Sequence, residues 1–259
     1  MSCNNRINPG KAFHSIGTTV PTTARALRAS EILGRNLRER RPITAQGMKE
    51  MQNDVIDEFA KAIVPILKRL IDRHKLNFDD RNSTSFKILE KIATLLDKWN
   101  YQMMADSKFA LVYNLLWEEL YGMMLHKTIP DQFERESATH GFFSDYFLLN
   151  MIAEWGKGRE LNSEYCANKL NEGKGKKCVW NVIQAAVKVY ETVVKECGED
   201  DEKWRWSQRH LLEYPHVPFS DVGLLRPFFH KEAAAPVLNG FQKLCREIRT
   251  HCTCQATIT

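Results

Sequence analysis

Few residues of this chain have the types and spacing that chemistry requires. His210 and His216 stand on either side of Tyr214-Pro215. They could flank a site, or they could be packed and hydrogen-bonded among the aromatics of that stretch. Asp79-Asp80 and Glu199-Asp200-Asp201-Glu202 are acidic clusters, and solvated loops account for them more simply than a metal cradle. His251, Cys252 and Cys254 crowd together near the C-terminus, but zinc sites use paired close spacings and no second pair is nearby. Asn4-Asn5 reads as a turn or a helix cap. Arg28 reads as a surface helix residue, with Arg25 one turn before it. There is no G-x-S-x-G, H-E-x-x-H, P-loop or EF-hand loop.

The elements that must position these residues are helices. Residues 22–41 form a weakly periodic first helix that Pro42 stops. Met48, Met51, Val55, Phe59, Ile63, Ile66, Leu67 and Leu70 step by three and four, so one stripe over 44–74 faces a core. Pro65 lies inside that stretch and predicts a kink or break there. Residues 84–98 repeat the pattern. Residues 107–125 are apolar all round, as in a buried helix. Residues 178–197 are rich in β-branched side chains, yet their period is 3.6. From Trp204 to Pro236 the chain is rich in Trp, Pro and His and reads as extended segments and turns.

Composition narrows the class. With 259 residues and 30.0 kDa the chain can bury a sizeable core. Hydrophobic residues at 43% and charged residues at 27% exclude collagen-like, mucin-like and wholly disordered chains. No apolar run reaches the roughly 18–20 residues of a membrane helix, and no signal peptide is visible. The net charge of +5 is partly concentrated in Arg35–Arg41, which suits a solvated helix end and lacks the interleaved aromatics of a nucleic-acid contact. Seven cysteines are present, and Cys166 and Cys178 could form a disulfide in an oxidising compartment.

Several blocks, taken in order, add a resemblance. They are Asn4-Asn5, then Arg28-Ala29-Ser30-Glu31-Ile32, then Met48-x-x-Met51-Gln52-x-Asp54. Leu95-Leu96-Asp97-Lys98-Trp99-Asn100 with Asp106-Ser107 follows, and then Trp204-Arg205-Trp206-Ser207-Gln208-Arg209-His210 with Tyr214-Pro215-His216. This succession resembles the large chain of the penicillin acylase (penicillin amidase) family of N-terminal-nucleophile hydrolases, over roughly residues 2–240. The resemblance implies a hydrolase of linear, non-peptide amide C–N bonds that releases a carboxylic acid and an amine. Its substrate would be a small acyl amide, with aryl-acetyl, glutaryl and fatty-acyl amides as the implied candidates.

The family's nucleophile is an N-terminal Ser whose own α-amine serves as base. The resemblance places the oxyanion-holding asparagine at Asn4 and the active-site arginine, which orients the site, at Arg28. A neutral amide suits the oxyanion role because it is fixed and does not titrate. The Trp204–His210 block resembles a scaffold of packed aromatics.

The chain departs from the family in ways that set further expectations. Nothing around Ser2 resembles the family's maturation site, so the nucleophile is expected elsewhere and the chain alone is expected to be inactive. The expected fold is mainly α as it stands: the helical segment of an α/β N-terminal-nucleophile hydrolase, an αββα sandwich in the full family protein, with the sheets largely missing here. Residues 1–240 would be the partial large-chain segment, helical over 22–198 and turn-rich over 204–236. Residues 241–259 form an unmatched Cys-rich tail. No cofactor is expected in this chain, although calcium is possible in the full-length family protein. Expected partners are the missing acylase segments or a partner chain, with no nucleic acid and no membrane span. Exposed apolar patches should mark where the sheets belong. The other reading is a non-catalytic helical relative that binds a protein partner. Family members are often exported, periplasmic or vacuolar, which leaves the compartment open.

Overall fold

The computed structural model describes residues 24–125, 142–159 and 178–234. Seven longer helices are found there: α1 (Ala24–Arg38), α2 (Ala45–Gln52), α3 (Glu58–Lys75), α4 (Thr84–Lys98), α5 (Lys108–Leu125), α6 (Phe142–Gly156) and α7 (Cys178–Cys197). Local chemistry starts several of them. Thr44 Oγ1 accepts from the Gly47 N–H at 3.1 Å and opens α2. Asp57 accepts from the N–H groups of Phe59 and Ala60 at 2.8 and 3.0 Å and opens α3. Ser83 caps α4, and Ser107 accepts from the Ala110 N–H at the head of α5. Each cap satisfies backbone donors that the first helical turn leaves without an intrahelical partner.

The apolar stripes of α3 to α7 merge into one core. Ile63, Leu67 and Ile71 of α3 meet Leu89, Ile92 and Leu96 of α4 there, together with Leu111 and Leu116 of α5. Ile152 and Trp155 of α6 and Val182 and Val189 of α7 close it. Helix α5 is buried on nearly every side from Ala110 to Leu116, as its sequence predicts. No helix among the described residues is long and apolar enough to cross a membrane.

The 44–74 stretch differs from its expectation. It is two helices, and the break falls at Asn53–Asp57, where Asp57 caps the second. Helix α3 runs on through Pro65. That residue is exposed, so water can serve the Lys61 carbonyl that Pro65 leaves without an N–H. Helix α6 has no counterpart in the sequence reading. Leu148, Met151, Ile152 and Trp155 form its buried stripe over the last two turns.

After α7 the chain turns at Gly198, whose φ of 81° is left-handed and whose N–H donates to the Val194 carbonyl at 2.9 Å. This turn returns Trp204 to the bundle. Trp204 is wholly buried, packs edge-on against Tyr190, and donates its Nε1–H to the Gly198 carbonyl at 2.9 Å. Beyond it come 3-10 turns at 201–203, 206–208 and 219–221, then β1 (Leu211–Pro215), the one-turn α8 (Arg226–Phe229) and β2 (His230–Ala234). The strands pair antiparallel, with Leu211 opposite Ala234 and Pro215 opposite His230.

The fold is therefore mainly helical, and the sheet among the described residues is this single pair. Between and beside its strands Val217, Val222, Leu224 and Phe228 stand exposed, an apolar surface of the kind expected.

Candidate functional site around Arg28

Arg28 lies in the second turn of α1. The residues that α1 buries fully are small, Ala24, Ala26 and Ala29, while Ile32 and Leu33 are half-buried and Leu27 and Leu37 are exposed. Alanines let the helix approach α3 closely but bury little area. Charge supplies the rest of the attachment. The Arg28 side chain is only 12% exposed, so it is no surface residue. Its Nε and Nη2 donate to the two carboxylate oxygens of Asp54 at 2.8 and 2.7 Å, a fork-to-fork pair. Its Nη1 donates to Glu31 at 2.8 Å and lies 3.6 Å from Glu58. Lys61 Nζ reaches both oxygens of Glu31, at 3.1 and 3.2 Å, and lies 3.5 Å from Glu58.

Three carboxylates thus share two cations, and their protonation reflects it. Hydrogen bonding from Lys61, then from Glu58 and Arg28, draws the Glu31 carboxyl down to about 2. Burial pushes Asp54 up, but the Arg28 fork and the Ile56 N–H outweigh it and hold Asp54 below its usual range. Glu58 goes the other way: burial raises it first, and the adjacent Glu31 raises it further. Arg28 is held above its ordinary range, chiefly by its bonds to Asp54.

Asp54 is itself fixed. Its Oδ1 accepts from the Ile56 N–H at 3.1 Å. The connector that carries it is bonded to the segment after α4. The Met103 N–H donates to the Val55 carbonyl and the Asp57 N–H to the Tyr101 carbonyl, both at 2.9 Å, around an antiparallel bridge between Ile56 and Gln102. That segment is braced in turn by Trp99, buried, with Nε1–H donating to the Gln102 carbonyl at 3.0 Å. Ser207 N–H then donates to the Ala105 carbonyl at 2.8 Å. The sequence blocks around Arg28, Asp54, Trp99–Ser107 and Trp204–His210 are therefore joined to one another by hydrogen bonds.

The remaining candidates separate. Asn4 lies outside the described residues, as do Cys166 and the 241–259 tail. Cys178 is fully buried and disulfide-bonded. His210 stacks on the buried Trp206, and burial lowers its pKa. His216 stacks on Phe219, while its backbone N–H donates to Ser220 Oγ at 2.6 Å. Asp201 is held by Lys91 at 2.7 Å and Lys108 at 3.4 Å. Asp80 accepts from the Asn82 N–H in an exposed turn. Among the described residues no group of three or more His, Cys, Asp and Glu side chains is placed to hold a metal ion, and the carboxylates around Arg28 are occupied by cationic side chains. They do not make a calcium cage.

Sequence reasoning singled out Arg28 but not its partners. Asp54 lies in a quoted block and Glu31 is one turn from Arg28, so both were visible; Glu58 and Lys61 carried no signal beyond their charge.

The penicillin amidase family model matches residues 1–243 of the 259, and the chain belongs to that family. No curated protein matches the chain closely enough to compare.

Proposed function

We propose that this chain is the arginine-bearing helical segment of an amidohydrolase that cleaves small acyl amides into a carboxylic acid and an amine. The observation that carries this reading is the family match over residues 1–243. The convergence of the family-like blocks on Arg28 supports it. Asn4 supplies a neutral donor to the oxyanion of the tetrahedral intermediate, and Arg28 orients the site. The attacking N-terminal Ser comes from a segment with no counterpart among the residues of this sequence, so the chain alone is inactive. The exposed apolar surface around 217–228 supports packing against further acylase structure.

The test uses chromogenic phenylacetyl, glutaryl and long-chain acyl anilides. The 259-residue chain alone should hydrolyse none of them faster than buffer. An acylase completed by a nucleophile-bearing segment should hydrolyse at least one, and Asn4→Ala should lower its kcat by about 100- to 1000-fold. A completed, self-processed protein inactive on the whole panel overturns the amidohydrolase reading. The same apolar surface also suits a non-catalytic relative that binds a protein partner, and that outcome would favour it.

A further inference from the structure

We propose that Asp54 is the positioning residue of the site: its carboxylate fork sets the plane and direction of the Arg28 guanidinium. This rests on the reading of Arg28 as an active-site residue.

An arginine side chain has four rotatable bonds before its planar group, and a useful site must hold that group still. Helix α1 does so poorly by packing, because its fully buried residues are the small Ala24, Ala26 and Ala29. The Asp54 fork does so well, because two parallel N–H···O bonds define a plane where a single bond leaves rotation. Asp54 is suited to the task by its backbone. It sits in a five-residue connector between two capped helices, and one of its oxygens is pinned by the Ile56 N–H. The connector in turn is bonded to residues 101 and 103. Glu31 is a poorer candidate. It lies on the same helix as Arg28, offers one oxygen to Nη1, and shares both oxygens with Lys61. The bonds among described residues engage three of the five guanidinium N–H groups, one each on Nε, Nη1 and Nη2. Nη1 also lies 3.6 Å from Glu58, so the end of the guanidinium beyond the fork faces Glu31 and Glu58.

Arginine Nε–H exchange in the full 259-residue chain, labelled with nitrogen-15, reads the fork directly. The Arg28 signal is the one lost in Arg28→Lys. It should exchange at least about tenfold slower than a solvated arginine. Asp54→Ala should abolish that protection and Asp54→Asn should weaken it. Glu31→Gln, which touches only Nη1, should leave it in place. Unchanged indole signals of the buried Trp155 and Trp204 verify the fold, and Asp54→Asn decides if Asp54→Ala does not fold. Protection that survives loss of the Asp54 carboxylate, or that Glu31→Gln removes equally, overturns the proposal. In the completed acylase, Asp54→Asn should lower kcat by about 10- to 100-fold with little change in KM, as misorientation does. An unchanged kcat with lost Nε protection also overturns it. An acylase inactive with the unaltered sequence condemns the functional reading instead, and the exchange measurement still decides whether Asp54 sets the guanidinium.

Discussion

Glu31 on α1 and Lys61 on α3 hold each other across the helix pair, with Lys61 Nζ at 3.1 and 3.2 Å from the two carboxylate oxygens. This bond sets a pH dependence. A carboxyl drawn from 4.5 to about 2 on folding adds stability that is present above 4.5 and lost as the pH falls toward 2. Thermal melts of Glu31→Gln should show a lower Tm at pH 7 and a shrinking difference below pH 4.5. A constant difference across that range would refute the assignment.

Glu58 should behave with the opposite sign. Its carboxyl is raised by burial and by Glu31, so it binds a proton more tightly folded than unfolded. Its ionisation therefore opposes folding as the pH rises above 4.5. Relative to the unaltered chain, Glu58→Gln should gain stability between pH 4 and pH 7. The measurement is the same series of melts, and a loss over that interval would show that Lys61 and Arg28 outweigh burial.

Removing the arginine should cost more than removing either glutamate. Arg28 and Asp54 are 12% and 19% exposed, between a surface pair and a buried one. Arg28→Met should destabilise by about 2 kcal/mol, because it leaves Asp54 half-buried without its guanidinium. Urea denaturation gives the value, and a loss under about 0.5 kcal/mol would class the pair with ordinary surface bridges.

The turn after α7 offers an independent check. Gly198 has a left-handed φ, so Gly198→Ala should cost about 1 kcal/mol. Trp204→Phe should cost more, since it removes the bond to the Gly198 carbonyl and opens a gap beside Tyr190. Differential melts of the two variants rank them, and the reverse order would mean that the indole bond contributes little.

Reduction tests the cysteine chemistry. Cys178 opens α7 inside the core and is disulfide-bonded, so reductant should lower stability by about 2–5 kcal/mol. Cys197, half-buried with its Sγ–H donating to Gln208 Oε1 at 3.3 Å, should label with a thiol reagent under non-reducing conditions. An identical Tm with and without reductant would argue against the cross-link.

Much of the fold was legible because its helices are amphipathic. The bounds expected for 84–98 and 178–197 are those of α4 and α7, each with an unbroken stripe. The single helix expected over 44–74 erred for a local reason. Apolar residues continue in helical register across Asp54 and Asp57, and the period hid a break that an aspartate cap enforces. Helix α6 escaped because Phe142, Phe143, Tyr146 and Phe147 blur the stripe in its first turns. In the candidate site, Arg28 was found through its neighbours in sequence. Its partners were not, because a pair such as Arg28 and Asp54 leaves no period and no spacing rule behind it.

The bonding of Val55 and Asp57 to Met103 and Tyr101 carries a consequence for the order of assembly. Synthesis runs from the N-terminus, so Arg28 is made long before the residues that steady its partner. The residues that helix α1 buries fully are alanines, so it gains little by burial meanwhile. The loop from residue 57 to residue 101 must close first, at the entropic cost that any such closure carries. The first helix of the described chain is then among the last to dock.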